Sequence, residues 1–264
     1  MLQFGWARGG SLRDGARLFH YLALKPSLVS RGWGSYSPER IVSFSIKATG
    51  SARFRVYVHD NGLEAGTIAE FFSPHSRKVP TELPPLRPKV IYDVGANIGI
   101  ASLHLATLYP DARVYGFEPL PPNYEVCVLN FQNLPQAEAF LWAVGSRSEV
   151  TAFECNEDPR GGHLQATPCN PHLQPQKRID VQVYSIADLI QVQKLEPPEF
   201  LKIDVEGAEL EVLRGMGEAV QSVKRIFVET HGPTLKEECL KWMREHGFKL
   251  WPSPDPTALW GDRR

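Results

Sequence analysis

The chain has 264 residues, 42% of them hydrophobic and 22% charged, which suits a globular protein with a sizeable core. Its 29 basic and 30 acidic residues leave a net charge of -1, so no basic surplus points to a nucleic-acid partner. No run approaches the roughly 18 consecutive apolar residues of a membrane-spanning helix. The cysteines at Cys127, Cys155, Cys169 and Cys239 are scattered, and no secretory-signal pattern opens the chain. Together these predict free thiols in a reducing, cytoplasmic setting.

In chain order, the first 38 residues carry five Arg or Lys against one acid, Asp14. Ser11 is placed to cap a helix whose stripe is Leu12, Ala16, Phe19 and Leu22, read as a solvated helix. Residues 25–40, punctuated by Pro and Gly, read as irregular. Alternation then sets in with Phe44 and Ile46, followed by Phe54, Val56 and Val58, which predicts a hairpin turning at 48–51. Pro80, Pro84, Pro85 and Pro88 mark a linker. The reading therefore divides the chain into an accessory region, 1–80, and a main domain, 81–264, and the accessory elements could cover the site or build a homodimer interface.

From residue 89 onward strands and helices alternate. Strands are predicted at 89–94, 113–117, 139–144, 200–205 and 225–228, and a terminal hairpin at 248–251 and 257–260. Helices are predicted at 100–109, after Pro121 and Pro122, at 208–214, and from a Thr234 cap to Glu245, where Gly247 stops it. The run from Glu154 to Asp180 is polar and rich in Pro, Gly and His, and reads as a long loop over the site that contacts the acceptor, with His163 a minor candidate. Strand–helix alternation predicts an α/β, Rossmann-like doubly wound sheet covered by helices on both faces, with an N-terminal helix and hairpin extension.

The strongest local signal is Asp93-Val94-Gly95-Ala96-Asn97-Ile98-Gly99, between a predicted strand and a predicted helix. Gly95 allows a sharp turn out of the strand, and Gly99 allows the helix to pack close. Asp93 suits a cationic amino group better than a pyrophosphate, which prefers bare N–H groups. That acid, and Asn97 at the place of the second glycine of G-x-G-x-x-G, argue against a nicotinamide dinucleotide. The second strand ends in Phe117-Glu118-Pro119, where Glu118 is placed to accept the ribose hydroxyls of an adenosine ligand.

These motifs resemble the FkbM family of S-adenosylmethionine-dependent methyltransferases. The resemblance runs from about Val90 to Gly247 and continues in Asn130, Ala143-Val144-Gly145, Leu201 to Glu209 (Leu-Lys-Ile-Asp-Val-Glu-Gly-Ala-Glu), Leu213-Arg214-Gly215 and Phe227-Val228-Glu229-Thr230-His231. It implies a seven-stranded sheet with its last strand antiparallel, and methyl transfer to a hydroxyl of a sugar, glycan or natural-product scaffold. It also implies a cofactor-binding set of Asp93, Gly95, Ala96, Asn97, Gly99, Glu118, Pro119, Trp142 and Ala143, with the methionine part near the glycine loop and adenine near Trp142. The family usually carries a Thr-Leu-Asp-Asp-Leu-like run before its fourth strand. Here Ser185-Ile186-Ala187-Asp188-Leu189 keeps only the second acid.

A neutral hydroxyl gains from a base that takes its proton as the new bond forms. The ends of the fourth and fifth strands hold Asp204 and Glu206, then Glu229 and His231. His231, Asp204 and Glu206 are the candidate catalytic residues, His231 foremost because an ordinary imidazole titrates near neutrality. The same side chains could instead hold a divalent cation. Asp204-Val205-Glu206-Gly207 stands where enzymes that methylate amino groups of bases carry an Asn-Pro-Pro-Tyr-like loop. The alternatives are a protein or nucleic-acid acceptor, and a binding protein that keeps the fold without turnover.

Overall fold

The computed structural model describes residues 12–31, 35–47, 53–62, 64–72, 82–132, 134–155, 162–164 and 177–263. The expected Ser11 cap, the hairpin turn at 48–51 and Cys169 lie outside the described residues. Helix α1 (Leu12–Phe19), a π-helical turn (His20–Leu24) and α2 (Lys25–Ser30) follow one another without a break. The Pro- and Gly-rich composition of residues 25–40 predicts irregular chain there, and the structure corrects this by carrying the helix to Ser30. Pro26 lacks an N–H and its ring crowds the carbonyl four residues back. The turn before it widens, the Lys25 N–H donating to the His20 carbonyl five residues back, and the chain continues helically through the proline. The helix is also not simply solvated: Leu18, Tyr21 and Leu22 are buried, whereas Ala16 of the expected stripe is exposed. Burying Leu18 and Leu22 is worth roughly 1.5–3 kcal/mol each.

Strands β1 (Ser37–Lys47) and β2 (Arg53–Asp60) form the expected antiparallel hairpin, with Phe44 opposite Val56 and Ile46 opposite Phe54. Helix α3 (Glu64–Phe72) follows, with Ile68 and Phe72 one turn apart in the core.

The remaining elements are β3 (Val90–Val94), α4 (Ile100–Leu108), β4 (Arg113–Phe117), α5 (Pro121–Phe131), β5 (Ala137–Phe140), β6 (Ala143–Gly145), β7 (Glu149–Cys155), β8 (Gly162–Leu164) and β9 (Lys177–Ser185). Then come α6 (Ile186–Gln191), β10 (Phe200–Ile203), α7 (Glu209–Arg214), β11 (Arg225–Glu229), α8 (Pro233–Glu245), β12 (Lys249–Trp251) and β13 (Ala258–Asp262). Seven strands form one sheet in the order β12-β13-β11-β10-β3-β4-β5. From β11 to β5 neighbours pair in parallel, while β13 runs antiparallel to β11 and to β12. The fold is the α/β doubly wound sheet, with its last strand reversed as expected.

Strand alternation divides the core between two faces. Ile91 and Phe200 point to the layer that holds α4, α3, the hairpin and the N-terminal helix. Val90, Tyr92, Val94, Leu201 and Ile203 point to the layer of α6, α7 and α8. The hairpin and N-terminal helix thus share one hydrophobic cluster with the main sheet.

Three further expectations need correction. The single strand expected at 139–144 is two strands in different sheets, because the chain leaves the main sheet at Leu141-Trp142 and β6 pairs with β9. The run from Glu154 to Asp180 is not all loop: β6, β9, β7 and β8 make a second four-stranded sheet, and β7 and β9 pair from Glu149–Val183 to Cys155–Lys177. Finally, α8 is capped by Gly232 with Pro233 in its first turn, rather than by Thr234. Ser185, in the run that departs from the usual family pattern, is a helix cap: its hydroxyl accepts from the Asp188 N–H at 3.1 Å. Cys127 and Cys239 are free and buried, and burial pushes the Cys239 thiol up to about 12.

Candidate active site

The loop after β3 is shaped by backbone geometry that few residues tolerate. Gly95 has φ +79°, and a Cβ there would lie 1.8 Å from the Asp204 carbonyl oxygen. The loop is therefore pressed onto the end of β10. Its Gly95 and Ala96 N–H groups donate to the Phe117 carbonyl at 3.0 and 2.9 Å, which bends the loop across the end of β4. Gly99, at φ +80°, caps α4, and a Cβ there would meet Cys127 and Phe131 at 2.9 Å. Asn97 has φ +51°, a left-handed conformation that asparagine tolerates better than most residues. Its side-chain oxygen accepts from the Ile98 N–H at 2.7 Å.

Glu118 stands beside this loop, 6% exposed. It accepts from the Asn97 N–H at 2.9 Å and from the Leu120 N–H at 3.0 Å. Burial raises its carboxyl to about 7, against the lowering effect of these bonds and one from Asn123. An ionised carboxylate has about four acceptor sites, so Glu118 keeps capacity for a hydroxyl after these bonds. Pro119 is half-buried behind it, and Leu120 packs in one small cluster with Ala143, Phe153, Val181 and Val183. Trp142 is half-buried, stacked on Phe140 at 4.6 Å between centroids and edge-on to Tyr184 at 4.8 Å.

Asp93 is where the structure departs most from expectation. It is 0% exposed, and both oxygens are engaged: Ser102 Oγ donates at 2.6 Å and Lys202 Nζ at 2.8 Å. It therefore holds the loop from beneath and offers no surface to an incoming amino group. The strand register explains this, because Lys202 of β10 pairs directly with Asp93 of β3 on the same face. Lys202 is itself buried and also reaches Asp204 at 3.7 Å. Burial alone would lower its ammonium, but Asp93, Asp204 and Glu229 more than offset this and raise it above its ordinary value. Nothing in the local sequence of Lys202 beyond a charge inside an apolar strand signals this role.

Asp204, Glu206 and His231 do converge, with Glu229, where β10 and β11 end. His231 Nε2 is 3.5 Å from Glu206 and 3.9 Å from Asp204, and Nδ1 is 2.6 Å from Glu209. Glu209, unassigned in the sequence reading, is 0% exposed and also accepts from the Gly207 N–H at 3.1 Å. The expectation of an ordinary imidazole is corrected here. Burial disfavours the charged ring, but the bond to Glu209 and the charges of Glu206, Glu209 and Asp204 outweigh it, and His231 is raised to about 9. Near neutral pH it holds its proton, so the groups able to receive one are the carboxylates. Burial raises Glu206 above its usual range, helped by Asp204, Glu209 and Glu229 and opposed by His231. His163 lies in β8, its backbone opposite Glu154, and its side chain is outside the described residues.

The order of the sheet, the glycine loop and the acid at the end of the second strand together define the Rossmann-like methyltransferase architecture. Residues 93–250 match the model of the methyltransferase FkbM domain. The chain belongs to the FkbM methyltransferase family. Among curated relatives it is 30% identical to hexuronic acid methyltransferase AglP of Haloferax volcanii, over 59% of this chain and 62% of that protein. It is 26% identical to 31-O-demethyl-FK506 methyltransferase FkbM of Streptomyces tacrolimicus, over 65% of this chain and 77% of that protein. The crystal structure of a methyltransferase FkbM from Methylobacillus flagellatus superposes with a TM-score of 0.50 at 17% identity, covering 76% of this chain and 54% of that one. The chain thus spans less than two thirds of AglP and about half of the solved structure.

Proposed function

We propose that the protein is an S-adenosylmethionine-dependent O-methyltransferase acting on a hydroxyl of a sugar, glycan or natural-product small molecule. The observation that carries this reading is the contact between Gly95 and the Asp204 backbone, which sets the acid–histidine cluster directly against the glycine loop. Relatives named for a hexuronic acid and for 31-O-demethyl-FK506 support a hydroxyl-bearing acceptor.

In this reading Gly95, Ala96, Asn97 and Gly99 shape the pocket floor, Glu118 accepts the ribose hydroxyls, and Trp142 and Ala143 border the adenine. Asp93 acts through the loop it anchors. S-adenosylmethionine, when bound, supplies an electrophilic methyl group. The protein's share is alignment of the acceptor oxygen and removal of its proton. Asp204 and Glu206 are the carboxylates available for that proton, and His231, charged near neutrality, orients them. No helix among the described residues is long and apolar enough to cross a membrane.

Calorimetric titration tests the donor. Wild type is expected to bind S-adenosylmethionine saturably and NAD not at all, and Glu118→Ala to weaken the former by at least ~30-fold, the loss of charge-assisted hydrogen bonds worth about 2 kcal/mol. NAD binding alone would overturn the reading. The pH dependence has a definite sign. Ribose hydroxyls bond the ionised form, so binding lowers the Glu118 pKa from its value of about 7 in the free protein. Affinity is level above that pH and falls up to about tenfold per unit below it, and Glu118→Ala abolishes this slope.

The acceptor half is tested separately. Asp204→Ala and His231→Ala are expected to keep donor affinity while turnover on a hydroxylated acceptor falls by about 10²–10⁴-fold, the usual range for losing acid–base assistance. Normal turnover in both variants would remove the cluster from the mechanism.

A further inference from the structure

We propose that Asp204, Glu229 and His231 form a binding site for one divalent cation of the magnesium and manganese class. The strand register supplies the placement. Ile203 of β10 pairs with Val228 of β11, so Asp204 and Glu229 leave adjacent parallel strands side by side, and His231 follows two residues later. One donor atom from each of the three lies within 4.8 Å of the others. Ligands bound at about 2.1 Å to a common cation lie roughly 3 to 4.2 Å apart, so only a small closure completes the set. The 3.9 Å between His231 Nε2 and Asp204 Oδ1 is too long for a hydrogen bond and suits two ligands facing a shared ion.

A second observation is independent of that spacing. A histidine that ligates a metal through one nitrogen almost always gives its other N–H to a carboxylate or carbonyl, which fixes the ring. His231 has this arrangement, with Nδ1 2.6 Å from Glu209 Oε1 and Nε2 turned toward Asp204 and Glu206, and an arriving cation would displace the Nε2 proton that the free protein holds near neutral pH. Glu209 is 0% exposed, and its second oxygen has no hydrogen-bond partner among the described residues. A fully buried carboxylate with an unspent oxygen is costly unless positive charge lies close by.

The donor set selects the metal class. Two carboxylates and one imidazole, with no thiolate among them, suit oxygen-preferring cations that retain several waters. The Asp204 and His231 side chains are each 29% exposed, which leaves the open side to water or to an acceptor's hydroxyls. In the proposed reaction the cation would hold and acidify the acceptor hydroxyl. Glu206, outside the ligand set and 43% exposed, would then take the proton. That role rests on the O-methyltransferase reading, but the site itself does not.

The test therefore uses neither donor nor acceptor. Purified protein is titrated with Mn²⁺, and free ion is followed by electron paramagnetic resonance. Wild type is expected to bind one equivalent saturably, with Mg²⁺ displacing it. Glu229→Gln and Asp204→Asn should each lose this binding, whereas Glu218→Gln, at an exposed position, should bind as wild type does. Glu209→Gln leaves all three ligands in place and should weaken binding by about 10–100-fold. Near-UV circular dichroism and S-adenosylmethionine titration of each variant report folding. Absence of saturable binding up to millimolar Mn²⁺, or unchanged binding in both Glu229→Gln and Asp204→Asn, overturns the site. Methyl transfer surviving exhaustive chelation would leave the enzyme reading intact and remove the cation from it.

Discussion

Lys202→Met is expected to lower the unfolding free energy by about 3–5 kcal/mol, the usual cost of removing one partner from a buried ion pair. Asp93 is 0% exposed and, among the described residues, would keep only the Ser102 hydroxyl, 2.6 Å away. A buried anion left in that state either stays uncompensated or takes up a proton, and both outcomes disfavour the folded chain near neutral pH. Loss of packing is a weaker explanation, because methionine fills much of the volume of the lysine stem. The two causes separate in a double variant. Adding Asp93→Asn removes the orphaned charge but restores no packing, so recovery of most of the loss in urea titration identifies the charge as the cause. If the double variant is no more stable than Lys202→Met, the pair is a packing element and the electrostatic account fails.

Gly95→Ala should be the most damaging single methyl in the loop. The added carbon would sit 1.8 Å from the Asp204 carbonyl oxygen, a backbone atom that cannot swing aside. The left-handed φ of +79° adds about 1–2 kcal/mol on its own. Gly247→Ala isolates that second contribution, because Gly247 has the same φ and its nearest neighbour would be 3.7 Å away, at Cδ of the Arg263 side chain. The expected result is a loss near 1 kcal/mol for Gly247→Ala and clearly more for Gly95→Ala, with donor binding lost only in the latter. Equal effects in the two variants would mean that the loop can retreat from β10, and the close approach would lose its significance.

Much of the main domain is legible in the sequence because its signals are local. A strand that runs into glycine at Gly95, an acid closing the next strand at Glu118 and a proline opening α5 each report their structure within a few residues. The parts that are not legible depend on partners far away in the chain. Lys202 is a charge inside an apolar strand until the register sets it beside Asp93. Glu209 reads as a helix-start acid until it is seen beneath His231, and the proton affinity of His231 depends on three carboxylates that sequence spacing does not aim at it. The second sheet did carry a local signal. Ile179, Val181 and Val183 alternate with polar residues, but the Pro- and Gly-rich segment before them drew the reading toward loop. The helix through Pro26 is the opposite case, where a strong local breaker is overruled by a π turn and by burial of Leu18 and Leu22.

Asn130 bears on how such a chain changes by descent. Its amide mimics a strand neighbour: the side-chain oxygen accepts from the Tyr57 N–H at 2.8 Å, and the side-chain nitrogen donates to the Tyr57 carbonyl at 2.9 Å. The same nitrogen donates to Ile98 in the glycine loop at 2.6 Å. Aspartate has the same outline but sets a lone pair against two carbonyls, and glutamine is a methylene too long. Position 130 is thereby written by the hairpin and the loop jointly. A lineage that dispensed with the hairpin would leave this amide with the loop carbonyl alone, and selection for asparagine there would slacken in the same step.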